Sequence, residues 1–358
     1  MVHPSYSSFP FKAEIYSFHN TKEKEKLLEL FNNKSIEKIN TIDSQLLELI
    51  KINNAGRPLS EDKLAGEKLE ILNNMPIEEY GVWAYYAWSN RLIHILPKEE
   101  FVKVRTNRNK LKITEEEQAL LATKKIGIIG LSVGQSIALT IAIERVCGEL
   151  RLADFDTLDL SNLNRIRAGL HQLGLPKVII AAREIAEIDP YINVEIFPLG
   201  ITDENMVAFL GSKDTKLDIL VEVCDGLDIK IKARKAARAL QIPVIMDTND
   251  RGMVDIERFD IEPMRKLLHG LIDEDLNLIN FTAEQRVQLL MKMVSFENIS
   301  DRLKHSLPQI GVNLTAFPQL ASSVMLGGAI TTDICRRIFL DKAVPSGRYY
   351  IDFDQLIS

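Results

Sequence analysis

Six residues able to bind a phosphorylated sugar crowd into one stretch, ADFDTLDLSNLNRIRAGLHQLGLPK, residues 153–177. They are Asp154, Asp156, Ser161, Asn162, Arg165 and Lys177. A carboxylate such as Asp154 accepts hydrogen bonds from ribose hydroxyls. Asn162, Arg165 and Lys177 supply donors and positive charge, which suit the concentrated negative charge of a triphosphate. A second acid, Asp225, comes later and is the kind of oxygen ligand that holds Mg²⁺ beside phosphates. Upstream lies Gly130-Leu-Ser-Val-Gly134, a turn whose N–H groups, together with the start of the next helix, face phosphate.

These residues need a scaffold, and the surrounding pattern supplies one. The apolar run 126–129 ends at Gly130 and reads as a buried parallel strand. Ser136 to Glu144 is apolar almost all round, as a helix lying on a sheet should be. Glu149 to Ala153 is the next strand, with Asp154 at its end. Further strands are expected at 193–197, 217–223 and 243–246, and helices at 177 onward (Pro176 in its first turn), 204–210 and 228–240. This alternation predicts an α/β fold with a doubly wound, mostly parallel, Rossmann-like sheet. Right-handed crossovers bring the strand ends after Gly130, Asp154 and Asp225 to one edge, where such sheets bind ligands.

Beyond Thr248 the pattern changes. Met253 to Phe259 alternates like an antiparallel strand. Helices are expected at 263–271, 282–293 and 317–340, and a closing strand at 347–353, giving an α+β C-terminal region. Leu326-Gly-Gly-Ala-Ile permits close helix packing. Residues 1–100 read as a mainly helical extension, with helices at 22–31 and 41–52. Tyr80, Trp83, Tyr85, Tyr86 and Trp88 within 77–96 are expected to be its core in preference to a binding patch. The domains expected are therefore 1–100, 101–260 and 261–358, the last packing on the second.

Composition limits the classes of function. The chain has 358 residues, 46% hydrophobic and 26% charged, with a formal charge of −6, so neither nucleic acid nor an anionic membrane is expected as the main partner. The 3 cysteines, Cys147, Cys224 and Cys335, form no CxxC pair, and zinc is not expected. The N-terminal residues lack a signal-peptide pattern, and no run approaches the roughly 20 apolar residues of a membrane span. A cytoplasmic protein is expected.

A nicotinamide dehydrogenase also places an acid about 20 residues past a glycine turn. Here Ser132 stands where the second glycine would admit a dinucleotide pyrophosphate, and a dinucleotide site has no need of Asn162, Arg165 and Lys177. The ordered set Asp154-Phe-Asp, Ser161-Asn-Leu-Asn-Arg165, Lys177 and Asp225 resembles the adenylation domain of the ubiquitin-activating enzyme superfamily, the ThiF-type adenylyltransferases. The resemblance covers roughly 105–260. The flanking regions resemble a bacterial subgroup, some of whose members carry a further nitroreductase-like domain.

The resemblance implies carboxylate adenylation with ATP and Mg²⁺. It implies nucleotide contacts at Gly130, Ser132, Gly134, Asp154, Asn162, Arg165 and Lys177, and a metal ligand at Asp225. Arg105 to Asn109 matches the family's RxxRQ segment, whose second arginine acts on a neighbouring subunit. Arg108 would therefore act in trans within a homodimer, and Arg165, Lys177, Asp225 and Arg108 form the candidate catalytic set. Three family positions differ: Ile166 replaces a glutamine, Gly226 an asparagine and Lys230 an arginine. With no cysteine between Cys224 and Cys335, no persistent thioester is expected. The expected substrate is a carboxylate-bearing protein or peptide, such as the C-terminus of a ubiquitin-like carrier, with a modified tRNA base the least attractive choice. An NAD(P)-dependent oxidoreductase and a catalytically inactive binding scaffold remain open alternatives.

Overall fold

Arg91-Leu-Ile-His alternates between outer and buried positions, as a strand with one covered face does, and it pairs antiparallel with Val82-Trp-Ala-Tyr-Tyr86, where Trp83, Ala84 and Tyr86 are buried. The computed structural model describes residues 9–274 and 281–357. Its chain divides into two units, Met1–Glu116 with Ala186–Tyr191, and Glu117–Ile185 with Ile192–Ser358.

The first unit holds strands β1 (Glu14–Tyr16), β2 (Glu37–Asn40), β3 (Val82–Tyr86) and β4 (Arg91–Ile95) in the order β1-β3-β4-β2. Helices Thr21–Asn32, Ile42–Asn53, Glu61–Leu72 and Lys98–Arg105 accompany them. The expectation of a mainly helical extension is thus corrected to a mixed α/β unit. Its aromatics are core: Trp83 stacks on His94 at 4.1 Å between ring centroids and meets the Phe31 ring edge-on at 4.8 Å, and the Tyr86 hydroxyl donates to the Ala186 carbonyl. The reading of these residues as core in preference to a binding patch is borne out for Tyr80, Trp83 and Tyr86, which are buried.

The second unit is built on β5 (Lys125–Ile129), β6 (Glu149–Ala153), β7 (Asn193–Phe197), β8 (Ile219–Glu222), β9 (Val244–Asp247), β10 (Met253–Glu257) and β11 (Gly347–Tyr350). Their order is β11-β10-β9-β8-β5-β6-β7. The five strands from β9 to β7 run parallel, and β10 and β11 extend the sheet antiparallel. This is the doubly wound sheet expected from the alternation. The central strands β5, β8 and β9 are mostly apolar and buried, as strands covered on both faces are.

Helix Gly134–Glu144 is buried along most of its length, including Gln135 and Ser136. Each of Ile137, Leu139 and Ile141 contributes about 1.5–3 kcal/mol by leaving water. Helix Ala321–Phe339 packs against it. At Gly328 an added Cβ would lie 2.6 Å from the Ser136 hydroxyl, and at Gly327 it would collide with the Asp247 carboxylate. The helix expected at 263–271 is not formed; only a short 3-10 turn, Leu267–Gly270, is present. Leu268 and His269 adopt left-handed backbone there, which lets the Leu268 amide reach Glu257 Oε1 at 2.6 Å. No helix among the described residues is long and apolar enough to cross a membrane.

Candidate active site

Gly130 directly follows β5 and has φ of +90°. A Cβ there would sit 2.8 Å from Cys224 Cα and 2.9 Å from the Cys224 nitrogen. Only glycine lets the turn press against the end of β8. The next amide, Leu131 N–H, donates to Asp154 Oδ2 at 2.6 Å, and Asp156 N–H donates to Asp154 Oδ1 at 2.7 Å. Asp154 therefore fastens the glycine turn to the end of β6. Burial pushes its carboxyl above the usual range, while the two amides and the Lys177 charge work against that. Each oxygen keeps a further lone pair for a ribose hydroxyl.

Helix Gly134–Glu144 begins without a side-chain cap; its Ser136 amide turns back to the Val133 carbonyl at 3.1 Å, and an uncapped helix start at the sheet edge suits an anion. Lys177 opens helix Lys177–Ile188. Its amide donates to the Asp156 carbonyl at 2.9 Å, and its ammonium donates to Asp156 Oδ2 at 2.8 Å. The lysine is buried while Asp156 is half exposed. Asp156 thus has a partner that the sequence left unassigned.

The loop carrying Asn162 and Arg165 is a short 3-10 helix, Leu160–Asn164. Asn162 is buried, and its Oδ1 accepts from the Asp159 amide at 3.1 Å, so part of this side chain serves the loop itself. The Arg165 guanidinium reaches Ser132 Oγ through Nε at 3.1 Å and Nη2 at 2.9 Å, and Asn164 Oδ1 through Nη1 at 2.9 Å. Burial lowers its pKa and the nearby Asp225 charge raises it; the guanidinium stays charged. Gln135 holds the same loop, its Nε2 donating to the Arg167 carbonyl and its Oε1 accepting from the Arg167 amide, both at 2.9 Å. Ile166, in place of the glutamine, is buried with Leu158 and Ile180.

Asp225 is exposed in the loop between β8 and helix Leu227–Ala239. The end of β8 is fixed by Glu222, which is fully buried and accepts from the Cys224 amide at 2.9 Å. Burial would raise the Glu222 carboxyl, but Lys230 and Arg234 outweigh it and hold the pKa at about 2. Lys230, the residue in the arginine position, is therefore a structural cation paired to Glu222 at 3.1 Å. Among the described residues no group of three or more His, Cys, Asp or Glu is placed to hold a metal. One hard carboxylate beside a phosphate site still matches the way Mg²⁺ is bound, since water and phosphate oxygens supply its other ligands.

Around one end of this sheet stand the 130–134 glycine turn, the cations Arg165 and Lys177, and the acids Asp154, Asp156 and Asp225. Residues 106–253 match the ThiF family, which spans β5 through β9. That stretch, residues 106–253, belongs to the ThiF/E1-like superfamily. The chain is 43% identical over 296 residues to an uncharacterized protein of Mycobacterium tuberculosis, MT1398, a match covering 81% of this chain and 41% of that protein. It is 29% identical over 150 residues to the molybdopterin-synthase adenylyltransferase of Haemophilus influenzae, covering 41% of this chain and 59% of that enzyme. The chain thus spans less than two thirds of either relative. A solved structure of PaaA shares the fold with a TM-score of 0.52 and 22% identity, covering 72% of this chain and 84% of that one.

In this ThiF-type domain the structure gathers Gly130, Ser132, Gly134, Asp154, Asn162, Arg165, Lys177 and Asp225 on the loops that follow β5, β6 and β8. Arg108 belongs to the first unit, exposed on the 3-10 turn Asn107–Asn109. Arg105 serves that unit's own structure, donating from Nε to the Ile188 carbonyl at 3.3 Å. The sequence reading did not find Gln135; its signal was a polar residue directly after the last glycine, in a helix that is otherwise apolar on the sheet side.

Proposed function

We propose that the protein is a Mg²⁺- and ATP-dependent adenylyltransferase that converts a carboxylate into an acyl-adenylate. The observation carrying this reading is the Arg165 guanidinium, held on neutral oxygens of Ser132 and Asn164 and close enough to Asp225 for their charges to interact. A cation and an acid that feel each other's charge, on loops beside a glycine turn, fit a triphosphate better than a dinucleotide. The name of the Haemophilus relative, an adenylyltransferase, supports the same chemistry.

In the reaction, an ionised substrate carboxylate attacks the α-phosphorus of ATP. The bond from that phosphorus to the bridging oxygen breaks, pyrophosphate leaves, and no proton moves. Asp154 receives the ribose, the 130–134 turn and the helix start receive phosphate oxygens, and Arg165 and Lys177 compensate the charge growing on pyrophosphate. Lys177 exchanges its Asp156 partner for phosphate in doing so. Mg²⁺, held through Asp225, supplies further charge compensation when bound.

The substrate is the C-terminus of a ubiquitin-like protein or a peptide, and the acyl group is passed on without a persistent thioester. The cysteines support this last point. Burial pushes the Cys224 and Cys335 thiols well above their usual range, and Cys147 is buried, whereas a nucleophilic cysteine needs thiolate character. The active form is a cytoplasmic homodimer in which Arg108 of one copy serves the ATP site of the other. The test is to follow ATP in the presence of peptides ending in Gly-Gly: AMP and pyrophosphate are expected, and both are lost in Asp225→Ala.

A further inference from the structure

Ser132 stands where a dinucleotide-binding turn carries its second glycine, and the structure gives that serine a task. Ser132 Oγ accepts two hydrogen bonds from one guanidinium, from Nε at 3.1 Å and Nη2 at 2.9 Å. A hydroxyl oxygen has two lone pairs, so both bonds are chemically complete and its own hydrogen is left to donate elsewhere. The third contact, Nη1 to Asn164 Oδ1, also ends on a neutral oxygen. Asp225 is the acid whose charge acts on the group.

We propose that Ser132 is a positioning residue that holds Arg165 by a neutral oxygen, so that its charge stays available to an incoming triphosphate and is not spent on Asp225. A carboxylate in the place of Ser132 would fix the guanidinium equally well but cancel its charge. A glycine would leave Arg165 free to swing into an ion pair with Asp225, removing the cation from phosphate and the acid from its metal together. The backbone beneath is already fixed, since Gln135 grips both backbone groups of Arg167. Ser132 therefore governs the last step of positioning, the aim of the guanidinium. This inference rests on the adenylation reading only for the reaction in which it is most easily measured.

The test is a double-mutant cycle between Ser132→Ala and Arg165→Ala, read both as affinity for Mg-ATP by calorimetry and as kcat/KM for ATP in pyrophosphate exchange. Loss of hydrogen bonds to a charged group predicts a drop of about tenfold or more in Ser132→Ala. In the Arg165→Ala background the same change should add less than about twofold, because Ser132 acts through Arg165. A full further tenfold loss in the double variant, or an unchanged Ser132→Ala, overturns the proposal. Ser132→Thr keeps the hydroxyl and should keep affinity, while Ser132→Gly should lose it, so a poorly folding alanine variant does not block the comparison. A wild type that binds Mg-ATP but exchanges no pyrophosphate with any carboxylate overturns the adenylation reading alone, and the cycle is then read from affinity.

Discussion

A carboxylate taken out of water needs donors or a proton, and two acids of this sheet meet that need differently. Asp154 is satisfied by the Leu131 and Asp156 amides. Asp247, at the end of β9, is buried beside Gly327, and the Thr248 and Asn249 amides lean toward it without reaching hydrogen-bond geometry. Burial pushes its pKa up to about 7, which those amides offset only in part. Below about pH 4 the acid is protonated in both folded and unfolded chains. Between about 4 and 7 only the unfolded chain ionises, so this group's contribution to stability falls as pH rises, and it levels off above 7. Asp247→Asn removes that loss. Thermal melts should show it more stable than wild type at pH 8, by on the order of 2–4 kcal/mol, with the gap closing toward pH 4. A gap independent of pH would contradict the assignment. At this scale the sequence revealed Asp154, Arg165 and Lys177 through their types and spacing. It could not reveal that Ser132 and Gln135 serve Arg165 and Arg167, because those pairings join residues about thirty positions apart and leave no local pattern.

Elements show where local pattern is overruled by packing. Helix Ala321–Phe339 was legible from periodicity, and its Gly327-Gly328 pair suggested close approach. The structure identifies what approaches: Asp247 and Ser136. Propensity alone says Gly327→Ala gains about 1 kcal/mol in a helix interior. The added Cβ meets the buried Asp247 carboxylate, and overpacking of this kind costs about 1–3 kcal/mol. The second effect wins, and urea unfolding should give a lower midpoint for Gly327→Ala than for wild type, while an equal or higher midpoint would sink the packing argument. The stretch 263–271 failed in the opposite direction. Its sequence permits a helix, but the buried Glu257 takes the Leu268 amide and Arg234 pairs with the same carboxylate at 2.8 Å. A tertiary demand for donors breaks the helix there. In the first unit, counting aromatics found the core but not the hairpin, because residues 87–90 were not read as a turn between two strands.

For the whole molecule, the parallel sheet and the edge carrying the site were legible, since alternating strands and helices leave few topologies. The substrate was not, because nothing in the flanking regions carries a residue pattern with its own chemistry. Arg108 poses a question that only the assembled protein can answer. Arg108→Ala and Asp225→Ala should each lose exchange activity, and mixing the two should restore it to about a quarter to a half, since a hybrid dimer contains one intact site. No recovery on mixing would rule out action in trans. The fate of ATP decides whether this protein is an adenylyltransferase. Purified protein, given Mg-ATP and a panel of peptides ending in Gly-Gly, should form AMP and pyrophosphate with at least one of them and exchange labelled pyrophosphate back into ATP, and Asp225→Ala should do neither. Release of ADP and phosphate, or tight ATP binding with no exchange for any carboxylate, would contradict it.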